Sequence, residues 1–303
     1  MPISHTQPSP HPRRISIPID NSDTDEALRL TLDRGCMAEG DFDSRKTDLL
    51  HAMVLNGSRV YSPRELTFRL ADCKQGGMAF RDYRDIPIPH ISCVRTGVTP
   101  RDLLGFLEEA NAIIDARMTR LREMNVLYPH RRIRNGDEYN ELTVETDGYE
   151  PMGHILVGVN EIQQALINCA DEYTPAPSSE YAVTAGQLSE QLYRIARMGP
   201  SVHVHTMLLA DRQPSNTPHR FFDGYLPYCT DHFLFRTKDG ILQSALPGSQ
   251  TVTEERHTAI SDLPDTECIW LRESFPPRKL HVREIPVREL RDILEQIRKT
   301  YSV

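Results

Sequence analysis

The sequence predicts an α/β protein in which a mainly parallel sheet is flanked by helices. Three observations carry that expectation. Strand-like and helix-like stretches alternate along most of the chain, the pattern that produces parallel strands joined by helical crossovers. Residues 154–159, His-Ile-Leu-Val-Gly-Val, form a nearly continuous apolar run of the kind found in a strand buried on both faces. With 303 residues, 39% of them hydrophobic and 26% charged, the chain can bury a sizeable core without a disulfide or metal staple.

The elements follow in order. Residues 1–14 are rich in Pro, Ser and His without periodicity and read as a disordered arm, leaving 15–303 as one domain. Residues 14–20, RISIPID, alternate apolar and polar and predict an edge strand that opens the fold. A strand is predicted over 28–37, and a helix over 45–55 with Leu49, Leu50, Met53 and Val54 on one face. Residues 66–72 predict a further strand. Residues 100–124 predict a long amphipathic helix striped by Leu103, Leu107, Ile114, Met118 and Leu121. After the strand at 154–159 come a helix over 185–198, strands over 202–210 and 232–236, and a charged amphipathic helix over 285–301. No internal repeat is visible.

Several classes are excluded on composition. No apolar run approaches the roughly 18 residues of a membrane span, and the first residues lack the apolar stretch of a signal peptide. The expected location is therefore the cytosol. The six cysteines, at 36, 73, 93, 169, 229 and 268, never come closer than 20 residues, so metal or redox spacings are missing and reduced thiols are expected. A net charge of −8 argues against a protein that coats nucleic acid indiscriminately.

In folds of this class ligands bind where strands end, which directs attention to the turns. Gly40-Asp-Phe-Asp-Ser-Arg-Lys46-Thr47 lies between a strand and a helix and matches the phosphate-binding loop G-x-x-x-x-G-K-[ST], with Arg45 in place of the second glycine. In that reading Lys46 meets the β- and γ-phosphates and Thr47 is the Mg²⁺ ligand. The bland alternative is an acidic helix cap followed by a surface lysine. About 115 residues later, Asn160 and Glu161 follow the apolar strand. A P-loop ATPase carries its Walker B acids in this context, the first supporting Mg²⁺ and the second polarising the attacking water. Here the first is an amide, and the alternative is a strand that simply ends in two polar residues. His203 and His205 could offer two metal ligands from one strand face, but no third ligand can be named and a polar strand face is the reading preferred. The basic clusters at 117–124 and 129–135 read as solvated helix surface rather than phosphate contacts.

A third stretch gives these sites a family context. Ala71-Asp72-Cys73-Lys74-Gln75-Gly76-Gly77, then Tyr83, Pro87 and Pro89-His90, resembles the strand-end D-x-K-G-G element and Y…L-P-H segment of the FtsK/SpoIIIE family of DNA-pumping ATPases. Arg134-Asn135 with Glu138-Tyr139-Asn140 is similar to that family's R-N-x-x-E-Y-N. Residues 188–199, and 208–215 from Leu208 to Ser215, resemble its I-A-R-x-G-R and L-A-T-Q-R-P-S segments. The resemblance runs in order over roughly residues 15–272. It implies a RecA-like P-loop NTPase fold, with Glu161 catalytic, Gly40, Arg45, Lys46, Thr47, Asn160 and Asp211 binding the nucleotide, and Thr47 binding Mg²⁺.

The departures from the family pattern point one way. Asp43 and Arg45 stand where glycine backbone would close around phosphate, and Asp41 adds a third charge to the loop. Like-charge repulsion is expected to weaken ATP and Mg²⁺ binding unless Arg45 folds back to compensate. Asn160 replaces the Walker B Asp, and Asp211-Arg212-Gln213 replaces the sensor T-Q-R. The resemblance therefore implies a weakly hydrolysing or non-hydrolysing subunit of a DNA-translocating or type VII secretion-like assembly. Two alternatives stay open: an active translocase of double-stranded DNA, and an interaction module that binds no nucleotide. Implied partners are copies of the chain or homologous motor subunits in a ring, up to a hexamer, with double-stranded DNA or protein as cargo. Helices 100–124 and 285–301 are the candidate assembly faces. A membrane anchor before the domain and a DNA-reading winged helix after it are both expected to be missing.

Overall fold

The computed structural model describes residues 14–19, 28–41, 44–74, 76–146, 148–169, 183–211, 222, 224–237, 260–272 and 275–301. In chain order the strands are β1 (Ser16–Pro18), β2 (Arg29–Thr31), β3 (Gly35–Gly40), β4 (Leu66–Asp72), β5 (Ile91–Thr96), β6 (His154–Asn160), β7 (Val204–Asp211), β8 (Cys229–Phe235), β9 (Glu267–Arg272) and β10 (Arg278–His281). The helices are α1 (Lys46–Val60), α2 (Arg81–Asp85), α3 (Pro100–Leu127), α4 (Gly136–Glu145), α5 (Ile162–Ile167), α6 (Ala185–Met198) and α7 (Val287–Tyr301). Eight strands form one sheet in the order β10-β9-β8-β3-β7-β6-β4-β5. β3 to β8 run parallel, while β9 and β10 add an antiparallel edge. The expected mainly parallel α/β sheet is thus the architecture observed.

Each face of the sheet carries its own core. On one face the α3 residues Leu103, Phe106, Leu107 and Ile114 pack with Leu188, Leu192 and Ile195 of α6 and Val157 and Val159 of β6. On the other, Leu50, Met53 and Val54 of α1 meet Leu70 of β4, Leu156 of β6 and Leu294 of α7. β6 is buried at every position, as its unbroken apolar run requires. α3 starts sharply because Thr99 and Asp102 form a reciprocal capping box with Pro100 at the first turn. α6 begins the same way with Thr184 and Gln187.

Several boundaries differ from the sequence reading, each for a physical reason. The single strand expected over 28–37 is two strands, because Asp33 turns back to bond Thr31 and the chain changes sheet. The expected opening edge strand is β1, which pairs with β2 in an antiparallel ribbon separate from the main sheet. β5, β9, β10, α2, α4 and α5 were not foreseen. α1 and α3 run past their expected ends at Leu55 and Met124 to Val60 and Leu127. The expected disordered arm, apart from Arg14, lies outside the described residues. Among the described residues, no helix is long and apolar enough to cross a membrane.

The turn after β4 needs its glycines. Gly76 and Gly77 have φ of 85° and 57°, and a Cβ on Gly77 would lie 2.3 Å from the backbone nitrogen of Gly97. This turn returns the Ala79 amide to the Asp72 carboxylate at 3.0 Å. Gly77→Ala combines left-handed strain with a backbone clash and is expected to cost about 2 kcal/mol or more. Chemical denaturation reads this directly, and an unchanged midpoint would show that the turn does not pack as described.

Candidate functional site

The sheet order places four strand ends in a row. β3 and β7 end in register at Gly40 and Asp211, and β4 and β6 end in register at Asp72 and Asn160. β7 lies between the loop-bearing β3 and the acid-bearing β6. The segment after β3 enters α1 through Arg45, which supplies no side-chain cap. The first amides of α1 thus lack a capping side chain, an arrangement suited to an anion.

Lys46 is the centre of the site. Its side chain is 1% exposed. Its ammonium donates to Gly40 O at 3.1 Å, Asp41 O at 2.8 Å, Ser44 Oγ at 3.0 Å and Asp211 Oδ1 at 2.7 Å. An ammonium has three protons, so every donor is already engaged by the protein. Asp211 supplies the opposing charge from the position where the family resemblance places a neutral threonine.

Two further carboxyls depend on that lysine. Glu161 follows β6 in a left-handed conformation, φ 54°, which is strained for a non-glycine residue. Burial and a hydrogen bond with Asp211 push its carboxyl up to about 7, against the pull of Lys46. Gln163 donates to its Oε2. Glu39, inside β3, is also pushed up to about 7 by burial, with Lys46 opposing, and its Oε2 is buried without a hydrogen-bond partner. Glu39 escaped the sequence reading. Its only signal was a single acid in the strand Gly-Cys-Met-Ala-Glu-Gly.

Thr47 is positioned through a relay. Its hydroxyl donates to Asn160 Oδ1 at 3.2 Å, and Asn160 Nδ2 donates to Asp72 Oδ1 at 2.9 Å. Asp72 also accepts from the amides of Lys74 and Ala79. The donor set fits a nucleotide phosphate at Lys46 and a cation at Thr47, the Lys46 donors being contested by Asp211.

Arg45, placed by the sequence reading among the nucleotide-binding residues, does not fold back over the loop to compensate its acids. It turns away to Glu284 at 2.8 Å and Asp48 at 3.5 Å, while the Ile285 amide bonds Asp48 at 3.0 Å. The residue standing at the loop's second-glycine position therefore clasps the segment before α7. Asp43, Arg212 and Gln213 lie outside the described residues.

The remaining candidates serve the fold. Of the basic residues expected to be solvated, Arg117 reaches inward to Val202 O at 2.6 Å and Arg120 bonds the Tyr139 hydroxyl at 2.9 Å. Arg131 pairs with Glu145 and Arg134 with Glu138, at an open cleft of about 440 Å³. His203 precedes β7 with a left-handed φ of 62° and stacks on His154, which in turn meets His205 at 3.1 Å. His154 was not foreseen as part of this buried group.

No protein-family model matches the chain. Over 210 residues, 67% of its length, it is 23% identical to the type VII secretion system protein EssC of Staphylococcus aureus and spans 12% of that relative. It superposes on the cytoplasmic domain of the Thermomonospora curvata type VII secretion ATPase EccC with a TM-score of 0.64 at 18% identity, covering 97% of this chain and 32% of that one. The pCW3 conjugation coupling protein TcpA, in its monomer form with ATPγS, gives a TM-score of 0.64 at 13% identity, with 95% and 70% covered. The chain therefore shares the fold of these ATPase domains, and the loop after β3, the acid after β6 and the Asp72–Gly77 turn after β4 stand together at one edge of its sheet.

Proposed function

We propose that this chain is a motor-type subunit of a secretion or translocation assembly that holds a nucleotide weakly and hydrolyses it slowly or not at all. One observation carries the reading: the Lys46 ammonium is fully engaged by its own loop and by Asp211. A phosphate must displace a charged partner before it can use that lysine. The amide at Asn160 weakens the cation side as well. Lys46 and Glu161 stay in place to meet phosphate and to orient water, with Thr47 facing Mg²⁺.

The relatives support protein as the cargo, since EssC and EccC are named as type VII secretion proteins. Double-stranded DNA is the less favoured cargo because Arg131 and Arg134 are already paired with glutamates. The charged outer faces of α3 and α7 are the surfaces we assign to neighbouring subunits in a ring. Solution mass measured over a concentration series, with and without nucleotide, tests this. A particle near 35 kDa under every condition excludes self-assembly.

Turnover of ATP by the full chain is expected to fall well below the 1–100 s⁻¹ common in phosphoryl transfer. Asp211→Thr releases Lys46 and is expected to tighten binding of a fluorescent ATP analogue about tenfold, the value of one hydrogen bond to a charged group. Fast turnover in the unmodified chain, or unchanged affinity in the variant, contradicts the reading.

Glu39 gives the pH dependence its sign. Folded Glu39 keeps its proton up to about 7, whereas the unfolded chain releases it near 4.5, so the folded state binds more protons across that window. Stability from this group is therefore full below pH 4.5 and lost as pH rises through 7. Glu39→Gln is expected to stabilise the protein by roughly 3 kcal/mol at about pH 8 and by almost nothing at about pH 4. Equal gains at both pH values would remove the burial argument.

A further inference from the structure

Asn160 looks at first like a simple loss of the Walker B acid, but its surroundings give it a different meaning. Its two side-chain ends face groups of opposite demand. The Thr47 hydroxyl donates to Oδ1 at 3.2 Å, and the Asp72 carboxylate accepts from Nδ2 at 2.9 Å. Both Asn160 and Asp72 are fully buried. The orientation of the amide is thereby assigned, since reversing it would set a nitrogen against the hydroxyl and an oxygen against a carboxylate.

Asp72 is held as firmly as its partner. Its Oδ1 also accepts from the Lys74 amide at 3.1 Å and its Oδ2 from the Ala79 amide at 3.0 Å. Those amides come from the turn that Gly76 and Gly77 make possible. β4 and β6 are adjacent parallel strands with Asp72 and Asn160 in direct register, so the sheet holds the two backbones side by side.

We infer that Asp72 and Asn160 act as one unit, a carboxylate and an amide carrying a single negative charge between them, which positions Thr47 on the cation side of the loop. This rests on the reading of the loop as a nucleotide site. Asp72 is the positioning residue and acts through Asn160. The donated hydrogen bond fixes the Thr47 proton toward Asn160 and leaves the hydroxyl lone pairs for a cation. Asn160→Asp does not restore the missing acid. It sets two buried carboxylates against each other across the 2.9 Å that the amide now bridges, where like charges repel. The family pattern carries an acid at both positions, and in this chain the amide removes that repulsion.

Four full-length proteins test this: the unmodified chain, Asn160→Asp, Asp72→Asn, and the double exchange. Two quantities are read for each, the melting temperature and the affinity for a fluorescent ATP analogue in Mg²⁺ and in EDTA. Each single variant is expected to melt about 4 °C or more lower, and to lose most of the affinity gained from Mg²⁺ over EDTA. The double exchange is expected to recover at least half of both losses. It falls short of full recovery because a carboxamide at position 72 is a poorer acceptor for the Lys74 backbone amide while it also donates to the carboxylate placed at position 160.

Losses that merely add in the double variant overturn the pairing, as does an Asn160→Asp protein that is as stable as the unmodified chain. A Mg²⁺ gain that is unchanged in all four proteins overturns the positioning of Thr47 even if stability is coupled. If the unmodified chain binds no nucleotide under either condition, the nucleotide reading fails and takes the positioning of Thr47 with it. The melting temperatures then decide the pairing alone.

Discussion

An ammonium taken out of water must be met by acceptors, and Lys46 is met by four. The desolvation of a single buried cation costs several kcal/mol unless it is paired and hydrogen-bonded. The carbonyls of Gly40 and Asp41, the hydroxyl of Ser44 and the carboxylate of Asp211 therefore converge on one nitrogen. That convergence shapes the site. It curls the loop after β3, ties the start of α1 to the end of β7, and supplies the positive charge against which Glu161 and Glu39 set their ionisation.

The charge count around that nitrogen explains more than any one missing residue. One cation faces Asp211, Glu161 and Glu39, and burial pushes both glutamates up to about 7. A triphosphate adds further negative charge to a place already short of positive charge. In the FtsK/SpoIIIE loop pattern, glycine amides would soften this. Here one of those positions is Arg45, whose guanidinium reaches Glu284 rather than the loop. This sum is what supports the proposed weak binding, and restoring one motif residue leaves the imbalance in place.

What the sequence revealed depended on whether the signal was local. The apolar run of β6 and the stripe of α3 are local patterns, and both elements begin where they were read and run only slightly past their expected ends. The row of strand ends was legible because Gly40, Asp72, Asn160 and Asp211 each close a strand. Pairing was not legible. Residues 28–37 remain apolar enough for one strand, and only the turn at Asp33 shows that β2 belongs to another sheet. The direction of Arg45 depended on Glu284, 239 residues away. Glu39 lay hidden inside β3, where one polar residue reads as an interruption, and His154 opened the β6 run without any sign of the histidines it would meet.

The alternative of a pure interaction module meets a physical difficulty at the same place. A buried cation with its acids is poor evidence of added stability, because apolar residues of similar volume serve a core as well or better. Glu161 adds strain, holding a left-handed backbone at φ 54° that costs a non-glycine residue about 1 kcal/mol or more. Glu39 adds an unsatisfied buried oxygen. A surface used only for docking has no use for these penalties in its interior. They become intelligible when Lys46 has a second partner to reach, one charged enough to draw it away from Asp211. The cluster therefore favours a domain that still answers to phosphate over one that has abandoned it.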